Sequence, residues 1–160
     1  MGLAKTRKLS YLRRYTNLPA LIYMLRERAI TMLDPNSWDD KNDTYYMTLY
    51  RERKKLASVL ALCFSRSDET YHHWRVFADG SSGVCVRFKK WQLLKALRRQ
   101  RGLRYGNVRY QKIGRSRSTT ISVDGLPFRK RYAYKDEKEF RAIFESRKLT
   151  IKALDIPIQL

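Results

Sequence analysis

Acidic residues and cysteine are scarce in this sequence. Its 160 residues include 15 Asp and Glu against 35 Lys and Arg, which gives a formal net charge of +20. So basic a chain favours a polyanionic partner, and we expect nucleic acid. The two cysteines, Cys63 and Cys85, each lie in an apolar run. They do not suggest a disulfide framework, and they predict a reducing compartment, the cytoplasm.

Long hydrophobic runs, repeats and linkers are also lacking. No stretch approaches the roughly 18–20 apolar residues of a membrane span, and no apolar segment follows the basic N-terminal residues as in a secretory signal. We therefore expect no membrane partner and no secretion. With 43% hydrophobic residues, the chain has enough apolar surface to fold. Its length suits a single domain over residues 1–160, with residues 1–10 as a basic, flexible tail.

Apolar periodicity predicts an α+β fold, a mixed or antiparallel β-sheet with two to four helices. Strands are expected at residues 11–15, 59–65, 84–88, 108–112, 139–144 and 149–151. Helices are expected after Thr16 or Asn17 and at residues 43–55, 71–77 and 89–100. In the last helix, Trp91, Leu94 and Leu97 form the stripe expected to face the core.

Charge is unevenly distributed along the chain. Residues 81–117 contain no acid, and residues 34–43 form an acidic island of net charge −3, a contrast that often marks a site. Like charges at helical spacing destabilise one another unless an anion relieves them, so we expect the basic segment to bind phosphates. The interleaved Tyr105 and Tyr110 favour RNA or single-stranded DNA, whose unpaired bases stack on aromatic rings. The predicted nucleic-acid-binding residues are Arg87, Lys89, Lys90, Lys95, Arg98, Arg99, Arg101, Arg104, Arg109, Lys112, Arg115 and Arg117.

Several short motifs follow one another along the chain. They are Arg14-Tyr15-Thr16, Asp39-Asp40-Lys41, Cys63-Phe64-Ser65, a central group (Trp74, Phe77, Ala78, Gly80, Gly83, Val84 and Phe88) and a final group (Tyr134, Lys135, Glu137, Glu139, Phe140 and Arg141). Over residues 11–151 they resemble a bacterial family described as domain of unknown function 2971. The chain lacks that family's loop proline and keeps only the last Ser of its Ser-Phe-Ser strand. This resemblance implies a family and no activity.

A second resemblance lies in the order of an Arg-aromatic strand, a strand ending in Ser and a Glu-x-Glu motif. This order is similar to that of ADP-ribosyltransferases, including those that modify nucleic acids, and it implies the use of NAD. Glu139 would then stabilise the oxocarbenium-like cation formed at the ribose. Glu137 would orient or deprotonate the acceptor. An ion-pair network on the surface is the alternative role for both glutamates.

The same resemblance implies residues that bind NAD. Arg14 would hold its phosphates, Ser65 would orient a ribose, and Tyr15 or Trp74 would stack on nicotinamide. The alternatives are surface charge for Arg14 and core packing for Trp74 and Phe77. No metal is expected, because His72 and His73 are adjacent and point apart.

These patterns support three hypotheses for function. The first is a nucleic-acid-associated ADP-ribosyltransferase-like enzyme, with a role as a toxin or phage-defence effector. The second is a non-catalytic, basic nucleic-acid-binding module. The third is the basic subunit of a nucleoprotein or toxin–antitoxin complex, held by an acidic protein partner. Loss of activity without loss of nucleic-acid binding in a Glu139→Ala variant separates the first from the second.

Overall fold

A computed structural model describes residues 10–38, 40–78, 80–112 and 122–159 of the chain. Most of the expected tail, Asp39 and the polar loop at 115–120 lie outside these ranges. The helices are α1 (Leu18–Glu27), α2 (Lys41–Arg53), α3 (Tyr71–Phe77) and α4 (Lys90–Arg98). The strands are β1 (Tyr11–Asn17), β2 (Ala29–Leu33), β3 (Ser58–Ser65), β4 (Gly83–Lys89), β5 (Leu103–Asn107), β6 (Arg109–Gln111), β7 (Arg129–Arg131), β8 (Glu139–Ser146) and β9 (Ala153–Pro157). The predicted α+β class is confirmed.

The main sheet is antiparallel and splits at its centre. On one side of β3 lie β8 and then β5. On the other side, β1 pairs with the end of β3, where Arg13 is opposite Ser65, and continues into β4. Further along β3, Leu33 is opposite Ala61, and β2 continues into β9. Strands β6 and β7 form a separate parallel pair.

Helices cover both faces of this sheet. On one face, here called the α1/α4 face, Met24 of α1 and Leu93 and Leu97 of α4 belong to the larger core cluster. On the other, the α2 face, Met47 and Tyr50 of α2 pack with sheet residues such as Val59, Ala61 and Ile143. Because successive strand residues point to opposite faces, register assigns each strand side chain to one of the two layers.

Local capping explains where two helices begin. The Asn17 side chain accepts a hydrogen bond from the Ala20 amide at 2.9 Å, and Pro19 lies in the first turn of α1 as expected. The Asp40 carboxylate caps α2 by accepting from the Asn42 amide at 3.0 Å. Asp40 comes from the acidic island, so part of that island has a structural role at the start of a helix. No helix in the described part of the chain is long and apolar enough to cross a membrane.

Some predicted elements were wrong. Residues 149–151 are not a strand; the last strand is β9. Strand β2 was missed because it follows α1 directly, after the single left-handed residue Arg28 (φ 50°). The apolar side of α4 also differs from the predicted stripe of Trp91, Leu94 and Leu97. Leu93 and Leu97 are buried, whereas Trp91 is 53% exposed.

Gly102, in the turn between α4 and β5, provides a test of this fold. Its φ of +78° disfavours other residues, and an added Cβ would lie 2.6 Å from the Glu145 carbonyl oxygen. We expect Gly102→Ala to reduce the free energy of unfolding by at least about 2 kcal/mol, measured by urea denaturation. Gly80→Ala is the control, because Gly80 also has a positive φ (+50°) but open space around it. Equal losses in the two variants would contradict the close approach.

Candidate functional site

A cavity of about 650 Å³ opens on the α2 face of the sheet. Its wall combines β1, β3 and β8 with α3, with Trp38, Asp40 and the first turn of α2, and with β7 and the 3-10 helix Tyr132–Glu137. This volume is within the range of roughly 300–1,000 Å³ typical of small-molecule sites. The cavity is therefore large enough to hold a ligand.

The predicted catalytic and cofactor-binding residues come together here, with one exception. Arg14, Tyr15, Ser65, Glu137 and Glu139 all line the cavity. Trp74 is outside the lining, although its half-buried ring meets Tyr15 edge-on with centroids 5.4 Å apart. Residues up to 125 positions apart in the sequence thus share one wall, while their roles stay predictions.

Arg141 is the centre of the buried charge in this cavity. Its guanidinium, which has no solvent exposure, donates two hydrogen bonds to Asp43 at 2.8 and 2.7 Å. It donates two more to Glu139 at 2.6 and 3.0 Å and one to the Pro127 carbonyl at 2.9 Å. Arg141 therefore ties α2 to β8 and uses both carboxylate oxygens of Glu139.

Lys130 of β7 is the second cation of this group. Its ammonium lies 2.7 Å from Glu137, 3.5 Å from Glu139 and 3.6 Å from Asp43. We call these five residues, Asp43, Lys130, Glu137, Glu139 and Arg141, the carboxylate cluster. All five are buried, so their interactions are only weakly screened by solvent.

The two glutamates of the carboxylate cluster differ in proton affinity. Burial raises the pKa of Glu137 to about 7, although Lys130 opposes this. Burial would raise the pKa of Glu139 as well, but the charges of Arg141 and Lys130 lower it to about 2. Glu139 is therefore ionised throughout the physiological range, while Glu137 exchanges a proton near neutrality. Carboxylates with divergent pKa values are typical of acid–base sites.

The Glu-x-Glu pattern predicts that Glu137 and Glu139 point to the same side of one strand, and this prediction was wrong. Glu137 ends a 3-10 helix over Tyr132–Glu137, and Lys138 follows in the left-handed conformation (φ 43°). Strand β8 begins only at Glu139. The backbone turn at Lys138 brings both carboxylates to Lys130, which is why they meet although they do not belong to the same strand.

The strand register separates Arg13 from Arg14. Arg13 is opposite Ser65, and Ser65 is opposite Glu139, so Arg13 shares their face. It donates to the Ser67 carbonyl at 2.7 Å and to exposed Asp68 at 2.9 Å. Sequence reasoning missed Arg13 as a cavity residue, because only the register distinguishes it from its neighbour.

Arg14 starts from the other face, opposite Val86. Its guanidinium donates to the Cys63 carbonyl at 3.2 Å, at the point where β1 and β2 diverge along β3. Within the described ranges no carboxylate lies within 4 Å of this cation, and burial lowers its pKa. Arg14 therefore closes the split in the sheet and contributes an uncompensated positive charge to the cavity lining.

Ser65 is engaged by the protein itself. Its buried hydroxyl donates to the Glu137 carbonyl at 2.9 Å and accepts from the Ser67 amide at 3.1 Å. The Ser67 hydroxyl lies a further 2.8 Å away. These contacts hold the end of the 3-10 helix against β3, so Ser65 positions Glu137 and is not free to orient a ribose.

The aromatic wall also differs from the prediction. The buried His73 ring stacks on Tyr15 with centroids 5.1 Å apart, and its Nδ1 is hydrogen-bonded to Thr70 at 2.5 Å. Burial lowers the pKa of His73, which favours the neutral ring. Tyr15 is covered by His73, whereas Phe77, 39% exposed, lines the cavity together with Trp38 and Tyr134. Phe77 was expected in the core and is instead the accessible ring.

The predicted nucleic-acid-binding residues divide into several groups. Those with exposed side chains are Arg87, Lys89, Lys95, Arg98, Arg99, Arg101, Arg109 and Lys112. Helix α4 covers the α1/α4 face, so its cations lie on the opposite side of the sheet from the cavity. Arg109 begins β6, which pairs with β7, and β7 supplies Lys130 to the cavity.

Two further predicted residues, Arg104 and Lys90, are less suited to such contacts. Arg104 donates to Tyr50 at 2.6 Å and to Glu145 at 3.0 Å, so an internal network neutralises it. Lys90 is half-buried, with its ammonium 5.6 Å from the Phe140 ring centre. Arg115 and Arg117 lie outside the described residues.

The expected base-stacking tyrosines are engaged as well. The Tyr110 hydroxyl accepts from the Glu139 amide at 2.7 Å, and the Tyr105 hydroxyl accepts from Arg98 at 2.8 Å. Both rings are half-buried. The exposed aromatic ring of the basic segment is Trp91.

No protein-family model, curated protein or solved structure matches this chain. The two resemblances stated from the sequence therefore stay predictions. Across residues 10–38, 40–78, 80–112 and 122–159, no three His, Cys, Asp or Glu side chains form a metal-binding group.

Proposed function

We propose that this chain is a cytoplasmic ADP-ribosyltransferase-like enzyme that uses NAD and acts on nucleic acid. One observation carries the proposal: two glutamates meet in one cavity, Glu139 bound through both oxygens by Arg141 and Glu137 bound by Lys130 alone among the described residues, so the pKa of Glu139 is lowered while that of Glu137 is raised. Transfer of a glycosyl group needs a fixed negative charge to stabilise a cation and a second carboxylate to accept a proton. Glu139 and Glu137 have these two properties.

The charge of the cavity fits an anionic dinucleotide. Its lining contains two more cations than carboxylates, namely Arg13, Arg14, Lys41, Lys130, Arg131 and Arg141 against Asp40, Asp43, Glu137 and Glu139. Arg14 has no carboxylate partner among the described residues, and a phosphate would supply the missing negative charge. The accessible ring of Phe77 offers a surface for stacking an aromatic base.

NAD would supply the reactive bond, which joins the ribose carbon C1′ to nicotinamide. Nicotinamide would leave with the bonding electrons, and C1′ would form a new bond to an oxygen of the acceptor. Glu139 stabilises the positive charge that develops at the ribose. It acts through its charge, since Arg141 already occupies both of its oxygens. Glu137 accepts the proton of the acceptor hydroxyl. Ser65 and Lys130 hold Glu137 in place.

The edge formed by β6 and β7 is suited to present the acceptor. Exposed Arg109 and Lys112 lie beside the strand that carries Lys130 and Arg131 to the cavity. Phosphates bound at this edge would bring a neighbouring nucleotide to the opening. We favour RNA or single-stranded DNA, because an unpaired nucleotide can enter a cavity without disrupting a duplex.

The test is incubation of the full chain with NAD labelled in its ADP-ribose part, together with RNA, single-stranded DNA or bulk protein. We expect label on nucleic acid with the wild type and with Glu52→Gln, an exposed control, and none with Glu139→Gln. Because Glu139 is buried, urea denaturation must show that Glu139→Gln is folded at the assay temperature. Absence of transferred label and of released nicotinamide with the wild type would refute the proposal.

A nucleic-acid-binding module without catalysis is the second candidate. It is favoured by the exposed cations of α4, which lie on the opposite side of the sheet from the cavity. This candidate predicts salt-dependent binding of RNA or single-stranded DNA that Lys95→Gln and Arg98→Gln weaken. The same binding should be unchanged in Glu139→Gln. Transfer of label from NAD would rule out binding as the whole function.

A further inference from the structure

Helix α1 exposes an apolar stripe to solvent. Met24 is its buried residue, whereas Leu18, Ile22 and Leu25 are 46%, 55% and 51% exposed. The spacing of four and then three residues places these side chains on one side of the helix. A contiguous exposed apolar surface of this kind often marks a protein interface.

This stripe borders a groove of about 380 Å³ between α1, β4 and α4. Leu25 belongs to both the stripe and the groove wall. The other apolar lining residues include Leu21, Met24, Val86, Phe88, Leu93 and Ile158. The groove lies against the larger core cluster, on the α1/α4 face, so it is separate from the cavity that contains the carboxylate cluster. A concave apolar surface next to an exposed stripe suits an inserted side chain better than a flat surface.

The groove is lined by positive and not by negative charge. Arg87 and Lys89 line it, and no Asp or Glu is found among the described residues of its lining. Gln92 also lines it, and Lys95 and Arg99 follow at three and seven residues along the chain, on the same side of α4 and exposed. An occupant therefore meets leucines in the groove and cations at its edges.

We propose that this groove docks an acidic amphipathic helix of a partner protein. Apolar side chains of such a helix would fill the groove while its Asp and Glu residues meet Arg87, Lys89 and Lys95, as in helix-in-groove recognition. A second copy of this chain would bring another charge of +20 to the same edge, which opposes docking. Nucleic acid offers no aliphatic surface to cover Ile22 and Leu25. This proposal does not depend on the proposed activity.

The test is selection from a displayed library of helical peptides with Leu or Ile fixed on one side and Glu, Gln or Lys at the other positions. The full chain is the bait. We expect peptides richer in Glu than in Lys to be enriched, and fluorescence anisotropy should then show at least tenfold weaker binding to the Ile22→Ser/Leu25→Ser double variant. Lys95→Glu should weaken the same peptides.

Leu149→Ser is the matched control, because Leu149 is 57% exposed and absent from the groove lining. Its peptide affinity should equal that of the wild type. No preference for Glu, or equal binding to the double variant and the wild type, would overturn the proposal. It would also be overturned if phosphatidylserine vesicles bind through Ile22 and Leu25 while no peptide does, or if these residues mediate a dimer seen by sedimentation.

Discussion

Replacement of Arg141 by methionine is expected to reduce the free energy of unfolding by about 3–5 kcal/mol. The guanidinium is completely buried, and its four hydrogen bonds to Asp43 and Glu139 compensate two buried carboxylates. Without it, Lys130 alone, at 3.5 and 3.6 Å, opposes their repulsion. A loss of this size is a large part of the roughly 5–15 kcal/mol typical of a domain. Urea denaturation at pH 7 measures it.

Arg26→Met is the control for this prediction. The exposed Arg26 pairs with its neighbour Glu27 at 2.7 Å, and surface pairs contribute only about 0–1 kcal/mol. A second comparison adds Asp43→Asn and Glu139→Gln to Arg141→Met. This triple variant should recover part of the stability, because its buried side chains are no longer unpaired charges. If Arg141→Met and Arg26→Met have equal effects, the carboxylate cluster does not hold α2 to β8.

The sequence allowed the main elements to be predicted where the apolar pattern was strong. Strands β1, β3, β4 and β8 and the four helices lie close to their expected positions. Strands β2, β5, β7 and β9 were missed, and the pairing of β2 with β9 joins residues 120 to 128 positions apart. The exposed side of α1 also differs from the usual pattern. Its leucines had the spacing of a core-facing stripe, yet they face solvent and the groove.

The candidate site could be predicted only in part. Five of the six proposed catalytic and cofactor residues line one cavity, because β1, β3 and β8, which carry four of them, are neighbours in the sheet. The sequence could not show that Arg141 and Lys130 are the buried cations that bind the glutamates, since charged residues are expected at the surface unless their partners are known. The partner of Arg141, Asp43, is 98 residues away. Which of Arg13 and Arg14 points to the same face as Ser65 and Glu139 depends on one register contact, Arg13 opposite Ser65.

The two proposed recognition sites lie on opposite faces of the sheet. The cavity on the α2 face contains the buried carboxylates, and the edge at Arg109 and Lys112 lies beside it. The α1/α4 face combines the apolar groove with the cations of α4. A partner docked in the groove would neutralise α4 without covering the cavity. Different substitutions should therefore abolish partner docking at the groove and catalysis in the cavity separately.

Replacement of Glu137 by glutamine is expected to reduce the rate of ADP-ribosyl transfer by about 100-fold to 10,000-fold, the usual contribution of a general base. The amide of the Glu137→Gln variant can still meet Lys130 but cannot accept a proton. In the wild type, kcat/KM should rise with pH and reach half its limit near pH 7, because the pKa of Glu137 is raised to about 7 and only its ionised form is a base. The variant should lose this rise.

The position of the pH midpoint separates a catalytic Glu137 from a structural one. Lys130 lowers the pKa of Glu137, against the effect of burial, so Lys130→Gln should move the midpoint of kcat/KM to higher pH. Asp136→Asn, a change at the exposed preceding residue, should leave both rate and midpoint unchanged. A Glu137→Gln variant that keeps the wild-type rate and pH profile would exclude Glu137 as the base. Proton transfer would then have to involve another group, since Arg141 keeps Glu139 ionised and occupies both of its oxygens.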